Sequence, residues 1–241
     1  MLTSVLSFTP EQAAEVTEYC TKHSNDVSSN MKELWDWTCN EFETSDKMSS
    51  PLQGATMKFL AEHQRAKRDR LLHWLQRHAW YESTVATQAE IITLELDPTM
   101  IAASRRTFDK YNLNDRVTLI EGPAQVSLEQ LEGTFDIIFV DANKEGYEGY
   151  VKAVLDRKLL SQTGFIMCDN VFARGMTISE DANPYLRDKV RPYWTANGIA
   201  LRKFNLFCRD DPRIDTILLP LYDGVSLIKW KSSASNGASS E

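Results

Sequence analysis

The chain is expected to fold as an α/β protein: a doubly wound, mostly parallel sheet with an antiparallel edge at its C-terminal end. Three features carry this expectation. From residue 91 onward, short β-branched or aromatic runs alternate with helical patterns, as in a parallel sheet covered on both faces. Three of those runs end in, or lead straight into, acids or amides: Glu95, Asp141 and Asp169-Asn170. After residue 200, strand-like runs follow one another with no helix between them, which suits strands added antiparallel at an edge.

The elements follow in order. Thr9-Pro10-Glu11-Gln12 reads as an N-cap, a proline at the first helical position and an acidic first turn, opening a helix to about Ser24. A second helical pattern covers Asn30 to Phe42, anchored by Leu34, Trp35 and Trp37, and a third covers Gly54 to Lys67 beyond a polar loop. Ile91 to Leu96 is a strand, and Asp97-Pro98 starts the helix that holds Ile101 to Tyr111. Val117 to Ile120, Phe135 to Val140 and Gly164 to Cys168 are further strands, with helical patterns at Tyr147 to Leu155 and Tyr185 to Ala196. Ala200 to Cys208, Thr216 to Leu219 and Val225 to Trp230 read as the antiparallel edge, with Asp223-Gly224 as the last turn. Residues 1–230 are expected to form one domain, and the Ser-rich 231–241 a disordered tail.

Composition narrows the function classes. The 241 residues are 42% apolar and 25% charged, enough to build a core without staples. No window holds about eighteen uninterrupted apolar residues, so no membrane span is expected. The N-terminal MLTSVLSFTPEQ lacks the basic and apolar regions of a secretory signal. Cys20, Cys39, Cys168 and Cys208 are widely spaced with no Cys-x-x-Cys pair, which argues against structural zinc and for a reducing cytoplasm. A net charge of −7 argues against nucleic acid as the partner.

In a doubly wound sheet, ligands bind beyond the carboxyl ends of the strands. Carboxylates clustered there resist ionising together, and a bound cation removes that conflict. Asp141, Asp169 and Asn170 offer hard oxygens suited to Mg²⁺ or Ca²⁺; the alternative is that these residues only cap the segments that follow. Glu95, at the end of a strand, is placed to accept hydrogen bonds from ribose hydroxyls, or else is a solvated acid.

Together the segments resemble the cation-dependent O-methyltransferases, the group of caffeoyl-CoA and catechol O-methyltransferases with a Rossmann-like methyltransferase fold. The matching stretches are Met48-Ser49-Ser50-Pro51-Leu52-Gln53-Gly54, Ile92-Thr93-Leu94-Glu95-Leu96-Asp97, Glu121-Gly122-Pro123-Ala124, Phe139-Val140-Asp141-Ala142-Asn143-Lys144 and Cys168-Asp169-Asn170. Asp211-Pro212-Arg213 through Leu227-Ile228-Lys229-Trp230 fits the family's antiparallel edge. The resemblance implies that Asp141, Asp169 and Asn170 hold the divalent metal, and that Glu95 binds the ribose of S-adenosylmethionine. It further implies Gly122 and Ala124 near the adenine, Met48 and Ser49 over cofactor and substrate, and Lys144 as general base. Phe172, Ala173 and Arg174 would help line the mouth. Homodimerisation is an expectation of the resemblance alone.

The match has one break. The family's first strand ends in a glycine-rich cofactor loop, whereas this chain has no glycine between Gly54 and Gly122. In its place stands Asp69-Arg70-Leu71-Leu72-His73-Trp74-Leu75-Gln76-Arg77-His78, whose Leu71, Leu75 and His78 recur at helical spacing and predict an amphipathic helix. His73 and His78, five apart, read as surface histidines rather than metal ligands. So sharply bounded a block has two sources: divergence that discarded the loop, or a shifted reading frame, which also rewrites a contiguous block and spares its flanks.

The reading is therefore an S-adenosylmethionine-dependent, divalent-cation-dependent O-methyltransferase acting on a small hydroxylated aromatic, phenolic or catechol-like. The alternative is a non-methylating relative of the same fold, a binding or scaffold protein, which would bind metal without turnover. A nicotinamide-dependent oxidoreductase is set aside because no Gly-x-Gly occurs in the chain.

Overall fold

The Thr9 hydroxyl accepts from the Gln12 N–H while the Gln12 amide oxygen accepts from the Thr9 N–H, a reciprocal cap that opens α1 (Pro10–His23). With α2 (Ser29–Glu41) and α3 (Pro51–Gln64) it makes up the described part of one compact unit, Met1–Arg65 with Gln76–Gln88. Both α1 and α2 contact α3, which buries Gln53, Gly54, Met57 and Ala61. The second unit, Ala66–Leu75 with Ala89–Glu241, holds the sheet. The computed structural model describes residues 9–25, 29–41, 49–64, 71–73 and 89–232.

Seven strands form one sheet: β1 (Leu71–His73), β2 (Ile91–Glu95), β3 (Val117–Glu121), β4 (Phe135–Val140), β5 (Leu160–Asp169), β6 (Ile214–Leu219) and β7 (Val225–Trp230). Their order is β3-β2-β1-β4-β5-β7-β6. The first five are mutually parallel, with Leu72 opposite Ile92 on one side and Ile138 on the other; β7 runs antiparallel to both β5 and β6. The order reverses between β1 and β4, the switch point where such sheets bind ligands.

Helices α4 (Pro98–Lys110), α5 (Ala124–Gln130), α6 (Tyr147–Asp156) and α7 (Arg191–Asp210) complete this unit. The α4 start is legible in its residues: Asp97 Oδ1 accepts from the Thr99 and Met100 N–H groups, and Pro98 takes the first turn. Inner strands read as almost continuous apolar runs because both faces are covered; Leu94, Phe135, Ile138 and Ile166 are wholly buried with Leu128, Val151 and Phe204 from the helices. Gly198 lies in the interior of α7. A Cβ there would fall 2.6 Å from Met176 backbone and side-chain atoms, so the helix runs against the 173–176 turn with no room for a methyl group.

Three expectations are corrected. Leu71–His73, predicted within an amphipathic helix from Asp69 to His78, forms β1 between β2 and β4. Both neighbours need a ladder partner for their inward backbone groups, and that demand outweighs a local helical spacing. Ala200 to Cys208, predicted as a strand, is the C-terminal half of α7; its buried positions Asn197, Leu201, Phe204 and Cys208 recur at helical spacing, which the run of apolar residues obscured. The helix predicted from Tyr185 begins only at Arg191, with Pro192 in the first turn. The short α5 was not expected. The tail from 233, and most of the 69–78 block with His78, lie outside the described residues.

Candidate functional site at the carboxyl edge of the sheet

Parallel pairing brings the ends of β2, β3, β4 and β5 to one edge of the sheet. Asp141 follows β4 directly, Asp169 closes β5, and Asn170 turns away in the left-handed region at φ 56°. A short 3-10 turn, Lys144–Gly146, links Asp141 to α6 and turns the Lys144 side chain inward, where the residue is only 7% exposed.

A buried ammonium needs acceptors for its three N–H groups. Lys144 Nζ donates to Asp141 Oδ1 at 2.7 Å, to the Tyr147 hydroxyl at 2.7 Å and to Asn170 Oδ1 at 3.0 Å. Tyr147, wholly buried, donates its own proton to the Asp169 carbonyl at 2.9 Å and meets the Phe204 ring edge-on at 5.5 Å between centroids. Burial, with the Asp141 and Asp169 carboxylates nearby, pushes the Tyr147 phenol well above its ordinary range, so it stays a proton donor. Asp169 Oδ1 accepts from the Asn170 N–H at 2.8 Å. The thiol of Cys168, just before, is likewise pushed up by burial and remains an inert part of the core.

The loop after Asn170 is clamped by the β6–β7 turn. Val171 N–H donates to Gly224 O, Phe172 N–H to Asp223 O, and Arg174 N–H to Asp223 Oδ1 at 2.7 Å. These bonds hold Ala173 and Arg174 in left-handed conformations, φ 48° and 57°. The Arg174 guanidinium stacks 5.2 Å from the centre of the Trp194 ring. Desolvation raises the pKa of Asp223, and its Oδ2 is buried with no hydrogen-bond partner among the described residues.

Glu95 lies at the neighbouring strand ends. Its Oε1 accepts from the Leu96 and Asp97 N–H groups at 2.7 and 2.8 Å, which fixes the carboxylate at the turn out of β2. Its carbonyl accepts from Gly122 N–H, just past the end of β3, and open space lies where a Cβ of Gly122 would point. Ala124 is buried at the start of α5. Ser49 belongs to the other unit; it is buried, and its hydroxyl finds no hydrogen-bond partner among the described residues. Met48 lies outside the described residues.

The structure thus gathers Asp141 and Asn170 around Lys144, with Asp169 next to them at the end of β5 and Glu95, Gly122 and Ala124 at the same sheet edge toward β2 and β3. Among the described residues no three His, Cys, Asp or Glu side chains converge as a metal cluster. The converging oxygens are instead one carboxylate and one amide, already sharing a cation in the Lys144 ammonium, a donor set that fits a hard divalent ion. Sequence reading missed Tyr147 and Asp223. Tyr147 is three residues beyond Lys144 at a helix start, where the i, i+3 relation signals contact; Asp223 offered only a turn signal.

Among the described residues, no helix is long and apolar enough to cross a membrane. Comparison with known proteins agrees with the fold just described. The sequence pattern of the O-methyltransferase family matches residues 21–231. The O-methyltransferase ankF of Aspergillus thermomutatus is 35% identical, over 96% of this chain and 99% of that protein. The O-methyltransferase hkm8 of Aspergillus hancockii is 30% identical, over 94% and 98%. Among solved structures, the SAH-bound Podospora anserina methyltransferase PaMTH1 is 53% identical with a TM-score of 0.91, covering 95% of this chain and all of that one.

Proposed function

This chain belongs to the O-methyltransferase family, and from that premise we propose that it transfers the methyl group of S-adenosylmethionine to a hydroxyl of a small phenolic or catechol-like aromatic, with a divalent cation such as Mg²⁺. The observation that carries this reading is the buried Lys144, hydrogen-bonded at once to Asp141, Asn170 and Tyr147. A base and hard oxygen donors meet at the ligand-binding edge of a doubly wound sheet.

In this reading Asp141, Asp169 and Asn170 hold the cation. When bound, such an ion makes a hydroxyl brought to it more acidic. Lys144, as the free amine, takes the hydroxyl proton at Nζ, and the Tyr147 hydroxyl keeps Nζ in place. The phenolic oxygen then attacks the methyl carbon in line. Bound S-adenosylmethionine would supply that methyl group, a new C–O bond replacing the C–S bond and neutral S-adenosylhomocysteine being left. The chain's part in this step is alignment. Glu95 accepts from the ribose hydroxyls, with Gly122 and Ala124 beside the adenine; the open space at Gly122 supports that assignment. The family resemblance would give Met48 and Ser49 the role of covering cofactor and substrate. Arg174, beside Trp194, would meet an acidic group of the acceptor or else remain a surface arginine. One working domain over residues 1–230, homodimerisation and a cytoplasmic location belong to the same proposal.

Calorimetric titration of S-adenosylmethionine into the purified protein with Mg²⁺ tests the cofactor half; we expect binding near the micromolar range, about −8 kcal/mol. Methyl transfer to a catechol acceptor, followed with and without a chelator, tests the cation half. Chelator should abolish it, and so should Asp141→Ala or Asp169→Ala. Undiminished turnover under chelation would remove the cation assignment, and a folded protein that binds no S-adenosylmethionine would favour the non-methylating alternative.

A further inference from the structure

Lys144 does something that a solvated base at a helix start has no reason to do. Its ammonium lies between Asp141 Oδ1 and Asn170 Oδ1, at 2.7 and 3.0 Å, and spends its remaining N–H on Tyr147. Lys144 and Asp141 are 7% and 8% exposed and Asp169 only 2%, so the charged members of the group are shielded from solvent, with the half-buried Asn170 at their rim. Two of the three oxygen ligands proposed above are therefore engaged by a charge that belongs to the protein. A second cation cannot use the same two oxygens without coming within a few ångströms of Nζ, where like charges repel strongly in a buried site.

We infer that Lys144 is a surrogate cation for its own metal site: the ammonium holds Asp141 and Asn170 together, and a divalent ion enters only by displacing it. The inference rests on reading Asp141, Asp169 and Asn170 as the ligand set. Its chemistry is an exchange of one cation for another on fixed oxygens, with no bond made or broken. Tyr147 is the fixed point of the exchange. Its hydroxyl is tethered to the Asp169 carbonyl at 2.9 Å, so Nζ has a partner to keep when it leaves the ligand oxygens. Two consequences follow. The buried Asp141 carboxylate is compensated before any metal arrives, which offsets the cost of its burial. The lysine leaves its acceptors only when the metal is in, and it serves as base once its ammonium has passed a proton to solvent.

The experiment uses the full chain, freed of metal by chelation and dialysis, with Mn²⁺ as the probe because free and bound Mn²⁺ are counted directly by electron paramagnetic resonance. Lys144→Met and Lys144→Gln remove the charge at nearly constant length. Both are expected to bind Mn²⁺ about tenfold or more tightly than wild type, the scale of one neighbouring charge on a buried site. Lys144→Arg, which keeps the charge, is expected to show no such gain. A second readout needs no binding isotherm: in metal-free buffer the two neutral variants should melt below wild type and recover more of the melting temperature on saturation with Mg²⁺. Mn²⁺ binding confined to the neutral variants would support the exchange equally. Folded Met and Gln variants with unchanged or weaker Mn²⁺ affinity than a binding wild type would overturn the exchange while leaving the ligand set standing. No Mn²⁺ binding by any of the four proteins would overturn both.

Discussion

Tyr147 shows how one side chain sets the chemistry of its neighbours. Its ring is fixed against Phe204, and its hydroxyl serves as donor to the Asp169 carbonyl and acceptor from Lys144. Tyr147→Phe keeps the packing and removes both hydrogen bonds, leaving a buried carbonyl and one ammonium N–H in need of partners. We expect a loss of about 1–3 kcal/mol in urea unfolding and slower turnover with substrate KM little changed; wild-type stability in the variant would contradict the burial argument. Asp223 gives a pH signature of opposite sense to the usual carboxylate. Desolvation raises its folded pKa, so the stability it contributes is fully present below the unfolded value near 3.9 and is lost as pH rises through the raised folded value. Asp223→Asn retains an acceptor for the Arg174 N–H without the charge. Its urea midpoint should exceed that of wild type at neutral pH, and the gap should close on acidification; a gap that widens in acid would refute the assignment.

At the scale of elements, legibility in the sequence followed local signals. Asp97-Pro98 announced α4 because cap and proline act within one turn, and β4 was legible because an unbroken apolar run led into Asp141. β1 was not, since three residues carry no period and only the neighbouring strands make Leu71–His73 extended. Nor was the clamp of the β6–β7 turn on the 171–174 loop, which joins segments about fifty residues apart. Gly224, at φ 81°, is where that clamp is tightest: a Cβ would stand 2.5 Å from the Phe172 ring. Gly224→Ala should cost at least about 1 kcal/mol from the backbone conformation alone, and part of the loss should return in a Phe172→Ala background. Strict additivity of the two changes would show that the close approach is not felt. The edge strands have their own tie. Arg213 bonds Asp211 and reaches Asp156 at the end of α6, and its hydrogen bonds to Asp211 hold that carboxyl below its usual range. Its folded pKa being lowered, the stability it gives is present above the unfolded value and lost as pH falls through the folded one. Arg213→Met should flatten this acid limb of the stability profile.

For the whole molecule, strand order did most of the work of assembling the site. Asp141 and Asp169-Asn170 are far apart in sequence yet meet because β4 and β5 are adjacent and parallel, so reading acids at strand ends was enough to find them. The lysine between them was visible only through resemblance; its depth and its three acceptors are products of the folded core. A ligand that binds only the folded chain stabilises it by mass action, about 2.7 kcal/mol at a hundredfold excess over Kd. S-adenosylhomocysteine and Mg²⁺ should therefore each raise the melting temperature. Their shifts should sum if the two sites are independent and exceed the sum if they are coupled.

Gly198 gives the molecule an uneven tolerance for change. Helix α7 touches the Lys144–Gly146 turn, the 173–175 turn and β6, and at Gly198 it has no clearance from Met176. A methyl group there would lift the helix away from both turns together, disturbing lysine and amide at one stroke without touching either. Exposed positions one turn along, such as Lys203, carry no such linkage. A saturation library across 191–210 scored for catalysis should consequently read as a helix that is permissive on its outer line and intolerant on its buried line, Gly198 included although it bears no functional group.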